Sequence, residues 1–359
     1  MSSCWGEKIK ISIFGESHGK GIGVVLDNLP SGEKIDMNEL LMFMGRRSPG
    51  KDKTSTPRLE KDFPNILSGL LNDTTTGTPL CAVIENTNTR SQDYGEMLRY
   101  PRPGHGDYTG HIRYQGFNDI RGGGHFSGRL TAPLVFAGSI CRQILKRKGI
   151  NIASHIYSIG EICDTPFNPV KVDNELIQRI NHEFFPLVNP DCEKDMRDYI
   201  ESKRLSGDST GGIIECVATG MPCGVGNPMF GGVENVISSV VFGVPAVKGI
   251  EFGTGFDITK MTGSQANDQY AYDENGNVIT LTNHNGGITG GITNGMPILF
   301  RVAIKPTPSI SVTQKTIDLI HKKNTELVIK GRHDPCIVPR ATVVIESALA
   351  IALMDILQI

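Results

Sequence analysis

Glycines that cluster in pairs and triplets are the feature that most constrains the fold of this chain. There are 42 glycines among 359 residues, well above the usual share of about 7%. They concentrate at residues 19–23, 122–124, 211–212, 231–232 and 286–291. Because glycine has no Cβ, such clusters form tight turns or bring backbone N–H groups close to a ligand. Both interpretations remain open for each cluster.

The residues between these turns predict both strands and helices. Residues 8–14 alternate isoleucine with polar residues, which is typical of a half-buried strand, and residues 21–29 form a second apolar run that ends at a turn. The pair predicts a hairpin with His18 near its tip. Residues 77–86 indicate another strand, and residues 271–281 indicate a hairpin on an Asn-Gly turn.

Three helices are predicted from apolar residues at helical spacing. The first covers residues 36–44, with Asp36 as its N-cap and Glu39 in position for a capping box. The other two cover residues 130–149 and 342–357, and each follows an arginine with a threonine two residues later. This repetition suggests internal duplication, although shared strand-and-turn patterns without common origin are the simpler explanation.

Two polar segments interrupt these elements within one large domain. Residues 46–56 are rich in Arg and Lys and lack apolar periodicity, which predicts a mobile cationic loop that an anionic ligand would order. Residues 173–204 are charged and helical in pattern, with a break near Pro186 and Pro190. They predict a peripheral helical excursion.

Charge and cysteine content exclude several classes of function. The formal net charge is -2, so no nucleic-acid partner is expected, and an anionic substrate would need local clusters of Arg, Lys and His. The eight cysteines include no Cys-x-x-Cys pair, which argues against a zinc site and a disulfide framework and favours a cytoplasmic protein. The N-terminus lacks a signal-peptide pattern, and the apolar C-terminal segment carries Glu346 and Asp355, which favours a core helix over a membrane span.

Three short segments place a titratable residue beside glycine or proline, and they surround His18, His105 and Asp334. In such turn-like segments the backbone and the titratable group can both face a ligand. A histidine in one such turn alone is more often a structural hydrogen-bond donor. The functional interpretation therefore depends on the three segments occurring together.

Two glycine-rich segments have the composition of anion sites. Residues 121–129 combine four glycines with two arginines directly before a predicted helix, where N–H groups and the helix dipole favour an anion. Residues 283–291 lead through a strand to residues 305–309, whose Lys, Thr and Ser side chains could meet a phosphate. Neither segment has the spacing of a Walker loop or a dinucleotide-binding fingerprint.

In their order and spacing these segments resemble the chorismate synthase family of flavin-dependent lyases, and the resemblance runs from about Gly15 to Asp355. It implies an α+β fold, a sandwich of antiparallel β-sheets around a helical layer, assembled as a homotetramer. It also implies the anti-1,4-elimination of phosphate from 5-enolpyruvylshikimate 3-phosphate, giving chorismate in the shikimate pathway. Reduced FMN is required in that reaction but not consumed overall.

The resemblance assigns a role to each titratable group. His18 matches the residue that protonates or stabilises the reduced flavin near its N1, and His105 matches the one that assists the departing phosphate. Asp334 matches the residue that accepts, through flavin N5, the hydrogen leaving the substrate. Ser17 and Ser127 match two serines beside these groups.

Further contacts implied by the resemblance are spread along the chain. Those to FMN are His125, Phe126, Ser127, Pro245, Ala246, Gly290, Lys305, Pro306, Thr307, Pro308, Ser309 and Arg332. The arginines expected to meet substrate are Arg46, Arg47, Arg129 and Arg340. NADPH, as an external reductant, would meet Arg47 and Lys53, and Lys53 lacks the bidentate fork of the arginine that many relatives carry.

Two other functions share parts of this pattern. An NADPH-dependent flavin reductase would use the glycine clusters but would not need two histidines and so many arginines. A non-enzymatic flavin or phosphate carrier would not need the histidine pair with Asp334. No segment beyond the common core points to flavin reduction by this chain itself, so the monofunctional type is expected.

Overall fold

A computed structural model describes residues 3–50, 62–87, 99–329 and 334–357 of the chain. Its helices are α1 (Met37–Arg47), α2 (Asp107–Arg113), α3 (Thr131–Arg147), α4 (Asn174–Ile180), α5 (Glu193–Leu205), α6 (Val233–Val241), α7 (Gly263–Ala266) and α8 (Val338–Leu357). Its strands are β1 (Cys4–Trp5), β2 (Lys10–Gly15), β3 (Gly21–Asp27), β4 (Asn65–Ser68), β5 (Leu70–Leu71), β6 (Thr74–Thr75), β7 (Leu80–Glu85), β8 (Asn151–Ile159), β9 (Ile162–Cys163), β10 (Gly212–Thr219), β11 (Val247–Phe252), β12 (Tyr270–Tyr272), β13 (Val278–Thr280), β14 (Ile288–Thr289), β15 (Ile292–Thr293), β16 (Ile298–Ile304), β17 (Gln314–Asp318) and β18 (Lys323–Leu327).

Two five-stranded antiparallel sheets form the outer layers. The first has the order β1-β2-β3-β7-β4 and the second the order β11-β16-β10-β8-β9. The predicted hairpin is β2–β3, in which Ile13 pairs with Val24. In the central strand of the second sheet Cys216 pairs with Ser154 on one side and Phe300 on the other. The predicted hairpin on the Asn-Gly turn is also present, as β12–β13.

The helical layer between the sheets is built on α3 and α8. α3 packs against β2, β3 and β7 of the first sheet, and α8 packs against β8 and β10 of the second. The two helices approach so closely that a Cβ on Gly138 would lie 2.2 Å from the Cβ of Ser347. α1 and α6 flank the pair. This arrangement confirms the predicted α+β sandwich, whereas internal duplication stays a prediction.

α8 is buried over nearly its whole length, as its apolar sequence predicted. It begins at Val338, earlier than predicted, because a proline at its second position is compatible with a first helical turn. Arg340 therefore lies in that first turn. Asp355, near the other end, accepts hydrogen bonds from the backbone N–H groups of residues 7–9 and so fixes the N-terminal segment. Among the described helices, none has the length and apolar character to cross a bilayer.

α1 begins as predicted, because the Asp36 side chain accepts hydrogen bonds from the N–H groups of residues 38 and 39. It continues, however, through Arg46 and Arg47, and both side chains are buried. The prediction that the cationic loop starts at residue 46 is therefore wrong: each arginine is held by a buried carboxylate instead of facing solvent. The rest of that segment, including Lys53, lies outside the described residues.

Residues 173–204 form α4, a short 3₁₀ turn and most of α5, in line with the predicted helical excursion. Together with Phe167, the apolar side chains Ile177 and Ile180 pack on Ala153 and Val217 of the second sheet, in a cluster separate from the main core. Side chains alternate between the two faces of a strand. The excursion therefore covers the face of this sheet that points away from the helical layer.

Candidate functional site

The turn between β2 and β3 places Ser17 and His18 against the glycine segment that follows Arg121. The exposed fractions of these side chains are 1% and 7%. The Ser17 hydroxyl lies 3.0 Å from the carbonyl oxygen of Gly122 and 3.2 Å from Nδ1 of His18. Since a hydroxyl has one proton and the carbonyl can only accept it, the Ser17 oxygen accepts from Nδ1. Ser17 thus orients the imidazole of His18.

Gly122 and Gly123 bring His18 and His105 together. A Cβ on Gly122 would lie 2.1 Å from ring atoms of His18, and one on Gly123 would lie 3.1 Å from Cε1 and Nε2 of His105. Consecutive Cα atoms are about 3.8 Å apart. The two imidazoles therefore converge on one short stretch of backbone that only glycine can provide, and both glycines adopt positive φ, at 60° and 86°.

The sequence predicts the glycine segment at the N-terminus of α3, but the structure does not place it there. The glycines lie inside one 3₁₀ segment, Arg121–Phe126, and a second 3₁₀ turn, Gly128–Leu130, follows before α3 begins at Thr131. The cause is the run of left-handed residues 122–124, which cannot continue into a right-handed helix. The segment instead makes a close approach to His18 and His105.

Asp107, which lies two residues after His105 and is the first residue of α2, holds the His105 ring. Nδ1 of His105 lies 2.7 Å from Oδ1 of Asp107, whose oxygens also accept from Nε and Nη2 of Arg102 at 2.7 and 2.8 Å. Nη2 of Arg102 is also 3.2 Å from Nδ1 of His105. The same nitrogen cannot donate to Asp107 and accept from Arg102, and the shorter contact with a carboxylate favours donation to Asp107.

The charge state of Asp107 suits this role. Burial alone would raise the pKa of this carboxyl, but hydrogen bonds from Arg102 and His105 outweigh burial and hold the pKa well below its usual range. Asp107 is therefore ionised across the physiological range, so it fixes the proton of His105 on Nδ1 and stabilises an imidazolium if one forms.

Asp62 holds together an arginine cluster, which reaches the His18 turn through Asn86: this side chain accepts from Arg129 and donates to the carbonyls of residues 16 and 19. Oδ2 of Asp62 accepts from Nε and Nη2 of Arg47 at 3.1 and 2.5 Å, and its Oδ1 accepts from Nη1 of Arg129. Burial would raise the pKa of Asp62, but Arg47 and then Arg129 lower it to about 2. Arg340 donates from Nε to the carbonyl of Arg47 at 2.8 Å and pairs with Asp334 at 2.6 Å. The structure thus brings together three of the four predicted substrate arginines and Asp334.

Arg46 is the exception. Its Nη1 and Nη2 donate to both oxygens of Glu346 at 2.9 and 2.8 Å, and its Nε donates to the carbonyl of Glu183. Glu346 is fully buried in α8 and also accepts from Ser154. In this structure Arg46 ties α1 to the core through Glu346, and its contact with substrate stays a prediction.

The predicted flavin-phosphate segment, residues 305–309, lies beside the turn that holds His105. Lys305 donates from Nζ to the carbonyl of Gly104 at 2.9 Å, and Arg102 donates to Ser309 at 3.2 Å. Pairing of β11 with β16 brings Ala246 to the same place, where its carbonyl accepts from the backbone N–H of Lys305. Burial, and then repulsion from Lys248, lower the pKa of Lys305.

The residues that follow the glycine triplet bond or pack against other segments of the protein. His125 donates from Nδ1 to the carbonyl of Gly15 at 2.8 Å, and its Nε2 accepts from Ser3 at 2.6 Å. Phe126 lies over Gly106, where a Cβ would come within 3.0 Å of its ring. Ser127 caps the second 3₁₀ turn by accepting from the N–H of Arg129. These contacts join the glycine segment to β2 and α2.

One predicted flavin contact is not brought into this cluster. Gly290 lies in the turn between β14 and β15, next to Gly291, whose contacts are with Asn227 and Gly232. Arg332 lies outside the described residues, and so does Lys53.

Three residues that the sequence interpretation did not select now stand out: Asp62, Asp107 and Glu346. The His-x-Asp spacing at residues 105–107 was a signal that could have identified Asp107. Asp62 and Glu346 had no such local signal, since their arginine partners lie 15 and 67 residues away for Asp62 and 300 residues away for Glu346.

Comparison with known proteins gives one consistent result. Residues 9–358 match the family model described as chorismate synthase. The chain is 46% identical to the chorismate synthase of Lachnoclostridium phytofermentans, over 99% of this chain and 95% of that protein. It is 44% identical to that of Pyrococcus abyssi, over 98% and 96%. A crystal structure of chorismate synthase superposes with a TM-score of 0.76 at 28% identity, over 98% of this chain and 92% of the other.

The fold and the site together define an α+β enzyme in which two histidines and a set of acid–arginine pairs converge on a glycine-lined surface. The matches extend over nearly the whole chain and include the segments that form this site. The chain belongs to the chorismate synthase family, and it is a lyase.

Proposed function

We propose that this chain converts 5-enolpyruvylshikimate 3-phosphate into chorismate and phosphate by anti-1,4-elimination, the last common step of aromatic amino acid biosynthesis, with reduced FMN required but not consumed overall. The observation that carries the proposal is the convergence of His18 and His105 on consecutive glycines, with Asp107 behind His105. The elimination breaks one C–H and one C–O bond. It therefore needs a proton acceptor, a proton donor and electrostatic support for the departing phosphate.

The described residues can supply each of these needs. Nδ1–H of His105 is directed at Asp107 and its Nε2 edge faces Gly123. As an imidazolium stabilised by Asp107, His105 can give the Nε2 proton to the departing phosphate and is left as the neutral ring with its proton on Nδ1. His18 adds a second titratable group on the neighbouring glycine. Asp334, on the arginine side of the site, is the carboxylate proposed to accept the proton that leaves the substrate carbon, and Arg340 keeps it positioned.

FMN fits the residues on one side of this site. The Thr307 hydroxyl is buried without a hydrogen-bond partner in the described part of the chain, and Lys305 and Lys248 place two positive charges nearby. An orphaned donor beside two cations suits a phosphate. We propose that residues 305–309 with Pro245 and Ala246 hold the phosphate end, while Ser127 and Phe126 contact the remainder. When bound, the reduced flavin would supply the transient electron that weakens the C–O bond.

Rapid mixing of the protein with substrate and chemically reduced FMN under anaerobic conditions tests this function. We expect phosphate release and chorismate formation together, with the flavin still reduced afterwards. A flavin reductase would oxidise NADPH without releasing phosphate, and a carrier would bind flavin without turnover. Either result would contradict the proposed elimination.

We also propose that the chain is monofunctional and does not reduce its own flavin. NADPH with FMN alone should then give no turnover in air, and NADPH binding through Arg47 and Lys53 remains a prediction. Sustained NADPH oxidation that follows the purified protein through each chromatographic step would contradict the monofunctional assignment. A cytoplasmic homotetramer is the remaining expectation from the family resemblance, and sedimentation equilibrium tests the assembly state.

A further inference from the structure

Asp62 is a buried acid among the arginines that we assign to substrate binding. The exposed fractions of the Asp62, Arg47 and Arg129 side chains are 2%, 3% and 5%. We propose that Asp62 is an internal competitor for this arginine pair: its carboxylate takes the donors that phosphate or carboxylate oxygens of the substrate would take, and so it sets the affinity of the site for anions. This inference rests on the proposed function, because that function makes Arg47 and Arg129 substrate contacts.

The geometry of the contact supports competition. One carboxylate bridges two guanidinium groups, with Oδ2 on Arg47 and Oδ1 on Arg129. A carboxylate or two oxygens of a phosphate bind a pair of arginines in the same way. Further hydrogen bonds, from Arg47 to Thr131 at 3.4 Å and from Arg129 to Asn86 at 3.1 Å, hold the guanidinium groups in place without neutralising them.

The charges in the cluster lead to the same conclusion. Burial, with repulsion from Arg340 and Arg129, lowers the pKa of Arg47, and Asp62 opposes that shift. Three guanidinium groups in a poorly hydrated cluster need anions close by. Asp62 supplies one such anion, so a ligand anion of equal charge at the same donors must displace it or share them with it. Removing the charge of Asp62 should therefore make the cluster a stronger anion site.

The test is binding of inorganic phosphate, and separately of succinate, to the full chain by titration calorimetry. We expect Asp62→Asn to bind at least one of the two anions roughly tenfold more tightly than the wild type, because a like charge beside a bound anion strongly opposes it. Asp62→Glu retains the charge and should bind both like the wild type. Asp257→Asn makes the same change in net charge at an exposed ion pair with Lys260 and should also leave binding unchanged.

Equal or weaker binding of both anions by Asp62→Asn would overturn the inference, since Asp62 would then only hold the arginines in position. If the variant is destabilised, phosphate should raise its melting temperature by more than it raises that of the wild type. A variant that stays unfolded with phosphate present also overturns the inference. None of these measurements uses the proposed substrate or the flavin, so a failure of the elimination assay and a failure of this inference are distinguishable.

Discussion

His105 and His155 have similar acidic neighbours but different surroundings. Nδ1 of His105 faces Asp107 at 2.7 Å, and its Nε2 edge lies against Gly123 in a partly open site. His155 is fully buried in the second sheet, where Nδ1 faces Asp164 at 2.9 Å and Nε2 faces Glu215 at 3.0 Å. His105 thus bonds a carboxylate through one ring nitrogen, whereas His155 bonds carboxylates through both.

Because of this difference we propose a chemical role for His105 and a structural one for His155. Carboxylates ionised at neutral pH only accept hydrogen bonds, so a ring between two of them must carry both protons. Burial would lower the pKa of His155, but hydrogen bonds to Asp164 and Glu215 outweigh burial and raise it. Asp164 also accepts from the backbone N–H groups of residues 188 and 189. The His155 network therefore fastens residues 164–189 to the sheet, and both ring protons are engaged by carboxylates of the protein.

The largest expected effect is on turnover when His105 is removed. His105→Ala should lower kcat by roughly 10- to 10⁴-fold, the usual range for a lost general acid or base, and His18→Ala and Asp334→Asn should behave similarly. Folding should change little because His18 and His105 lie in turns. Phosphate release at saturating substrate and reduced flavin measures the effect. Near wild-type turnover of any of these variants would show that the replaced residue has no chemical role in the reaction.

The matching change at His155 should affect stability instead. His155→Gln removes the cation that faces Asp164 and leaves Glu215 paired with Arg301 alone. A broken buried ion pair typically costs about 3–5 kcal/mol. Urea unfolding measures this loss. Turnover of the folded variant should stay within about twofold of the wild type. Lost activity with unchanged stability would reverse the roles assigned to the two histidines.

The glycine beneath His18 should be the next most sensitive position. Gly122→Ala places a Cβ 2.1 Å from the His18 ring at a φ of 60°. Displacement of a reacting group by about 1 Å can cost about 100-fold in rate. Gly128→Ala is the matched control, because a Cβ there meets no atom within 4 Å. Similar kinetics for the two variants would show that the close approach at Gly122 is unimportant.

Asp107→Asn should have a smaller effect than the loss of His105 itself. The ring remains but loses its charged support, and loss of a carboxylate behind a functional histidine commonly costs 10- to 100-fold, roughly, at metal sites of similar geometry. kcat should fall while KM is unchanged, and Asp107→Glu should recover part of the rate. A rise in KM alone would mean that Asp107 serves substrate binding.

The smallest effect is a pH dependence of stability. Because the pKa of His155 is raised in the folded state, its network contributes fully below the ordinary value of 6.5 and loses its contribution as pH rises through the folded-state pKa. The difference in melting temperature between wild type and His155→Gln should therefore shrink as the pH is raised above about 6.5. A constant difference would indicate that the ring is neutral in the folded protein.

The sequence alone determined the features that depend on near neighbours. Alternation in residues 8–14 identified β2, the Asp36 cap marked the start of α1, and the segments around His18 and His105 indicated the site and the family. These signals are visible because hydrogen bonding and side-chain direction within an element repeat every two to four residues. The His-x-Asp pair at residues 105–107 was visible too, but only the structure gives the distance of 2.7 Å between Nδ1 of His105 and Oδ1 of Asp107 that shows the two side chains interact.

The tertiary structure decided which partner each charged group takes. Arg46 and Arg47 are adjacent in sequence and look equivalent, yet one bonds Glu346 in the core and the other bonds Asp62 beside the site. His155 and His105 differ in the same way. A charged side chain in a poorly hydrated interior takes the nearest opposite charge that packing provides. In this chain that partner comes from residues as far as 300 positions away, which no local pattern in the sequence records.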